Sequence, residues 1–152
     1  MTFKAMVLDE QDGAVTGAVR DLEESALPDG DVLVDVACSD LNYKDGLILK
    51  GKARLVRDYP HIPGIDLAGT VTESGSDAFK PGDKVMLTGW GLGERHWGGY
   101  AQKARVKSDW LVKLPDGLSE AQAMAIGTAG FTAMISVLAL EKAGVAPDGG
   151  PV

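Results

Sequence analysis

Through most of the chain, apolar positions alternate with polar ones or come in brief runs, and glycine- and proline-bearing segments cut the runs short. Alternation with a period of two is the mark of strands with one buried face. It predicts strands at residues 3–8, 16–22, 32–37, 69–73, 84–88, 100–106 and 111–113. Turn chemistry separates them: Gln11-Asp12-Gly13, Pro28-Asp29-Gly30, Gly75-Ser76-Asp77 and Lys80-Pro81-Gly82-Asp83. In the last, Pro81 presets one backbone angle and Gly82 is free to take a positive φ.

From Ser119 the pattern changes. SEAQAMAIGTAGFTAMISVLALEKAG is rich in Ala, Leu and Met and opens with a capping box, Ser119 followed by Gln122 three residues on. Gly127 and Gly130 interrupt it around Thr128, which predicts two helices meeting at a short joint, the second over residues 131–142 and ending at Gly144. The closing VAPDGGPV delivers the backbone to residues suited to start a strand, so the natural chain is expected to continue beyond Val152.

The 152 residues, 45% hydrophobic and 24% charged, suit one domain with a proper core. A net charge of -7 disfavours nucleic acid or an anionic membrane as the main partner. The N-terminus has no leader pattern, and no stretch approaches ~20 uninterrupted apolar residues, so neither secretion nor a membrane span is expected. The single cysteine allows no internal disulfide, which fits a reducing, cytoplasmic compartment.

Candidate chemistry gathers in four stretches. CSDLNYKDG, residues 38–46, holds the one cysteine, for which a metal ligand, a nucleophile and a small buried hydrophobe are the readings; the last is favoured, because nothing places a partner beside Cys38. Asn42, Tyr43, Lys44 and Asp45 directly follow a core strand and either close a turn or line a cleft. In YPHIPGIDLAGTV, Asp66 lies among apolar neighbours and must act as a structural acceptor or join a polar network. LTGWGLGERHWGGYAQ carries Trp90 and Trp97, which either face a flat ligand or cap the core. Finally Lys44, Lys50, Lys52, Arg54 and Arg57 form a cationic run in an acidic chain, either a solvated face or an anion site.

Five segments, S39-DLNYKD-G46, P63-GIDLAGTV71, P81-GDKV85, G98-GYAQ102 and I126-GTAGFTA133, occur in the order found in the medium-chain dehydrogenase/reductase superfamily. The chain resembles its zinc-free, quinone-oxidoreductase-like branch. LNYKD, IPGIDLAGTV, the GWG/HWGG loop and ARVK-DWLV are most similar to the acrylyl-CoA reductase (YhdH-type) group.

The resemblance implies a mainly β fold with helices: a GroES-like β-barrel catalytic domain over residues 1–125. Residues 126–152 would be a connecting helix and the start of a doubly wound, Rossmann nucleotide-binding domain, with Pro151 and Val152 at the lip of its first strand. Zinc-dependent relatives have Cys at the position of Asn42, His at that of Ile65 and a further Cys leading to Thr128, so no metal is expected. The implied activity is NADPH-dependent reduction of the C=C bond of a short 2-enoyl-CoA. The alternatives are a reductase of quinones or free α,β-unsaturated carbonyls, and a non-catalytic GroES-like binding module. Tyr43 is implied as the catalytic group at the nicotinamide, with Asn42 and Asp45 fixing it; Thr128 and Thr132 would approach the cofactor ribose or phosphate. Trp90 and Trp97 would wall an acyl pocket, and Arg54 and Arg57 would meet CoA phosphates. A homodimer through the nucleotide-binding domain is implied as well.

Overall fold

A computed structural model describes residues 1–52 and 54–150. The alternating segments form β1 (Thr2–Gln11), β2 (Ala14–Glu23), β3 (Val32–Cys38), β4 (Asp66–Ser74), β5 (Lys84–Thr88), β6 (Lys103–Val106) and β7 (Val112–Lys113). Among the described residues two α-helices accompany them, α1 (Tyr43–Leu49) and α2 (Glu120–Lys142). β1 and β2 make an antiparallel hairpin whose turn, Asp12-Gly13, has φ of 53° and 80°. Positive φ at both central residues gives the turn twist that matches paired strands. The other five strands form an antiparallel sheet in the order β6-β3-β4-β5-β7.

The hairpin closes against the sheet through residues 100–102. Met6 N–H donates to Tyr100 O (2.8 Å), Gln102 N–H to Lys4 O (2.9 Å), and Val36 N–H to Gln102 O (2.9 Å). Those residues therefore divide their bonds between β1 and β3, and the strand expected from Tyr100 begins only at Lys103. The strand expected from Gly69 begins earlier, at Asp66, because Asp66 to Ala68 already pair with Thr88 to Met86. Alternation does not reveal this, since Leu67 and Ala68 are both buried, one in the main core and the other beneath α2.

The main core joins Val32 and Val34 of β3, Leu67 and Val71 of β4, Val85 and Leu87 of β5, and Ala104 and Val106 of β6. Phe3, Ala5 and Val7 form a second cluster under the hairpin, and Leu8, Ile48, Val56 and Ile65 a third beneath α1. Gly69 is needed where β4 crosses β3, because a Cβ there would overlap the Asp35 carbonyl oxygen.

The expected joint in the C-terminal helix lies at Gly127, with φ 48° and ψ -162° inside α2. Before it, Ala123 and Met124 pack on Ala68 of β4. After it, Phe131, Met134, Ile135, Val137, Leu138 and Leu140 stand 43–58% exposed. By length and composition α2, with mean hydropathy 1.9, is apolar enough to cross a membrane. The joint, however, leaves neither segment with the ~20 residues a span needs. The 125/126 boundary expected from the sequence falls inside α2, just before the joint. Pro151 and Val152, expected to begin a further strand, lie outside the described residues.

Candidate active site

Where β3 ends, the chain passes under the start of β4, held by Ser39 Oγ donating to Asp66 O (2.7 Å). The polar run 42–45, expected as a turn or cleft lining, is the first turn of α1 with Asn42 as its N-cap. Asp45 is buried and uses both carboxylate oxygens. Oδ2 accepts from Asn42 N–H (2.8 Å), one of the donors a helix start leaves unpaired, and Oδ1 accepts from Ile65 N–H (3.0 Å). Burial raises its pKa, while the Asn42 and Ile65 bonds oppose the rise.

Asp66 is fully buried and binds two other elements. Its Oδ1 accepts from Thr128 Oγ1 (2.6 Å), and Oδ2 accepts from Thr128 N–H (2.8 Å) and Asn42 Nδ2 (3.2 Å). Thr128 is the first residue past the joint in α2. Asp66 thus caps the second helical segment from a neighbouring strand, with its negative charge at the end where a helix favours one. The Asn42 amide also donates to Asp40 Oδ1 (2.7 Å). Gly127 completes the fit, because a Cβ at that position would run into Asp40 Oδ2.

Asp40 faces the carboxylates of Asp66 and Asp45. Burial first, and the adjoining Asp66 next, push its pKa up to about 7. Tyr100 donates its hydroxyl to Asp40 O (2.9 Å), and burial beside Asp45 and Asp40 pushes its pKa upward, so the phenol stays neutral.

A carboxyl whose folded pKa exceeds its unfolded one holds a proton that the unfolded chain releases. Its contribution to stability therefore falls as pH rises from about 4 to about 7, and levels off above. Asp40→Asn keeps an acceptor for Asn42 and places a permanent donor toward Asp66. Thermal melts at pH 6 and pH 8 should show a smaller pH-dependent loss in this variant than in the wild type. At pH 8 its Tm should be higher by on the order of 2–4 °C. Parallel curves for the two proteins would mean that Asp40 ionises normally.

The structure thus brings Asn42, Asp45 and Thr128 into one network. Tyr43 lies beside it but is 85% exposed, its hydroxyl without a hydrogen-bond partner among the described residues. Thr132 is one turn further along α2, its Oγ1 donating to Thr128 O (2.7 Å). The two tryptophans take different partners. Trp90, 61% exposed, stacks on Trp110 with centroids 6.4 Å apart, whereas Trp97 packs on the hairpin cluster and donates Nε1 to Pro60 O (3.2 Å). Arg54 and Arg57 line one groove with Tyr59, but Lys44 turns away to pair with Glu94 (2.8 Å). Cys38 is half-buried against Ala68, Ala123 and Met124.

The sequence pattern singles out neither Tyr100 nor Asp40 for a role at the site. The one signal in the sequence is an acid two residues before Asn42, within a polar stretch that follows a core strand. Among the described residues no three His, Cys, Asp or Glu side chains gather in a metal-holding arrangement.

Residues 28–116 match the alcohol dehydrogenase GroES-like domain. The chain is 57% identical over 152 residues to the acrylyl-CoA reductase AcuI of Ruegeria pomeroyi, covering 99% of this chain and 46% of that protein. It superposes on the yhdH oxidoreductase of Salmonella enterica, solved in complex with NADP, with a TM-score of 0.94 and 58% identity, over 97% of this chain and 45% of that one. The Bacillus subtilis protein yhfP, solved with NAD bound, is 44% identical with a TM-score of 0.94, over 99% of this chain and 46% of that one. The chain therefore spans about half the length of the relatives it matches. The mainly β architecture and the match over residues 28–116 agree, and the chain belongs to the alcohol dehydrogenase GroES-like domain family.

Proposed function

We propose that this chain is the catalytic half of an NADPH-dependent reductase that saturates the C=C bond of a short 2-enoyl-CoA such as acrylyl-CoA. One observation carries the reading: Asp66 ties Asn42 to Thr128, and Tyr43, next to Asn42 at the start of α1, is exposed with no hydrogen-bond partner for its hydroxyl among the described residues. The 57% identity to an acrylyl-CoA reductase supports the substrate class. The proposal concerns the full-length form, in which a nucleotide-binding half covers the apolar surface of α2 beyond Gly127 and pairs two copies in the cytoplasm.

The residues present fit the nicotinamide end of the cofactor. Thr128 and Thr132 have given their hydroxyl protons to Asp66 and to Thr128 O, so their oxygens are left as acceptors. Acceptors suit the hydroxyls of the nicotinamide ribose rather than a phosphate, which has no proton to give. The reduced nicotinamide would supply the hydride that the β-carbon of the enoyl thioester takes, and the α-carbon of the resulting enolate would take its proton from water.

This chain's part is to hold the carbonyl oxygen on which charge develops. Asn42 and Ile65 offer no metal ligand, since one is an amide donating to two carboxylates and the other a buried alkyl group. The stabilisation then comes from hydrogen bonds, with the Tyr43 hydroxyl as the donor. Asn42 and Asp45 position Tyr43 by fixing the first turn of α1. Trp90 presents its open face as a wall for the acyl group, and Trp97 braces the same loop from the core.

Steady-state NADPH oxidation with acrylyl-CoA, acrolein and a benzoquinone tests the reading. Remote binding energy from the CoA moiety should make kcat/KM for acrylyl-CoA at least ~tenfold higher than for either smaller substrate. A benzoquinone preferred over acrylyl-CoA would overturn the reading.

A further inference from the structure

Resting on the enoyl-CoA reading, we propose that the groove between the tip of the β1–β2 hairpin and the segment after α1 holds the adenosine 3′,5′-bisphosphate end of CoA. The groove has a volume of about 570 Å³ and is lined by Glu10, Val15, Arg54, Val56, Arg57 and Tyr59. That lies within the range of pockets that take ligands of this size, roughly 300–1,000 Å³.

Its chemistry is divided in the way a phosphorylated nucleoside requires. Arg54 and Arg57 are exposed and make no salt bridge among the described residues, in a chain whose net charge is -7. Two planar guanidinium groups in one groove suit phosphate oxygens, to which each can give paired hydrogen bonds. Between them the buried Val56 and the half-buried Tyr59 and Val15 form an apolar and aromatic floor, rooted in the cluster of Leu8, Ile48 and Ile65. A purine can lie flat on such a floor. Glu10 stands at the rim, one carboxylate oxygen accepting from Gly13 N–H (2.7 Å). The other oxygen is an acceptor for the exocyclic amine of adenine. Arg54 is held at φ 46°, a conformation that non-glycine residues adopt rarely and at some cost.

NADPH carries the same chemistry with its phosphate on the 2′ oxygen, so the two sources are separated by isomer. Adenosine 3′,5′-bisphosphate and adenosine 2′,5′-bisphosphate are titrated into the full-length protein by calorimetry at low and physiological salt, each also with NADPH saturating the cofactor site. With NADPH bound, the 3′,5′ isomer should still bind, and combined Arg54→Ala and Arg57→Ala should weaken it at least ~tenfold. Combined Arg54→Lys and Arg57→Lys, which keeps the charges, should fall in between. Unchanged affinity in the alanine variant, or displacement of the 3′,5′ isomer by NADPH, overturns the proposal. Because the readout is binding, failure here is distinct from failure to reduce acrylyl-CoA, which would overturn the enoyl-CoA reading instead.

Discussion

Asp66→Ala should cost about 3 kcal/mol of stability, because it takes a fully buried acceptor from three donors of half-buried residues, Thr128 N–H, Thr128 Oγ1 and Asn42 Nδ2. For a chain of this size the thermal midpoint should fall by on the order of 6–12 °C. The loss should be local before it is global. With its cap removed, the second segment of α2 should detach, and hydrogen exchange at the Thr128 amide should rise before exchange in the paired strands β3 and β4 does. A midpoint within about 1 °C of wild type, with Thr128 still protected, would mean that the joint at Gly127 is held by packing alone. Asp66→Asn separates charge from shape: it keeps one acceptor, and its amide hydrogens must face Thr128 or Asn42, so an intermediate loss is expected.

Tyr43→Phe should do the reverse, sparing the fold and damaging the chemistry. The side chain is 85% exposed and its hydroxyl has no partner within the described chain, so the thermal midpoint should move by no more than a typical surface change, within ~0.5 kcal/mol. Turnover of acrylyl-CoA in the full-length protein should drop at least ~tenfold, the lower end of what a positioned donor to a developing oxyanion supplies. The fall should appear in kcat rather than KM, since the bond strengthens as charge grows on the carbonyl oxygen. Unchanged kcat would remove Tyr43 from the mechanism and leave a water or a residue of the nucleotide-binding half as the donor.

The strands were legible because one face of each is buried, and period-two alternation reports that directly. Legibility failed where both faces are covered, as at Leu67 and Ala68, and where a segment serves two partners, as Tyr100 to Gln102 do. α1 was hidden because only Ile48 and Asp45 of its seven residues are buried, too few to show a helical period. Its capping pair, Asn42 with Asp45, is in plain view, but in the sequence those residues read equally as a turn or the lining of a cleft. The joint in α2 was legible from Gly127, since a glycine amid strong helix formers marks a backbone that side chains would block.

The network itself was half visible. A lone Asp66 among apolar residues had to be paired, and Thr128 was implicated by resemblance. That the two bond to each other, 62 positions apart in sequence, is a consequence of β4 and α2 packing together. No local pattern encodes it. Asp40 and Tyr100 escaped for the same reason, since their importance comes from what the fold places beside them.

On the proposed function, this site reduces an enoyl-CoA with hydrogen bonds in place of a metal. The most direct measurement is product formation by the full-length protein after exhaustive chelation, with propanoyl-CoA and NADP quantified together from acrylyl-CoA and NADPH. One propanoyl-CoA should form per NADPH consumed, at a rate that chelation leaves unchanged. No propanoyl-CoA, or activity abolished by chelation and restored by zinc, would contradict it.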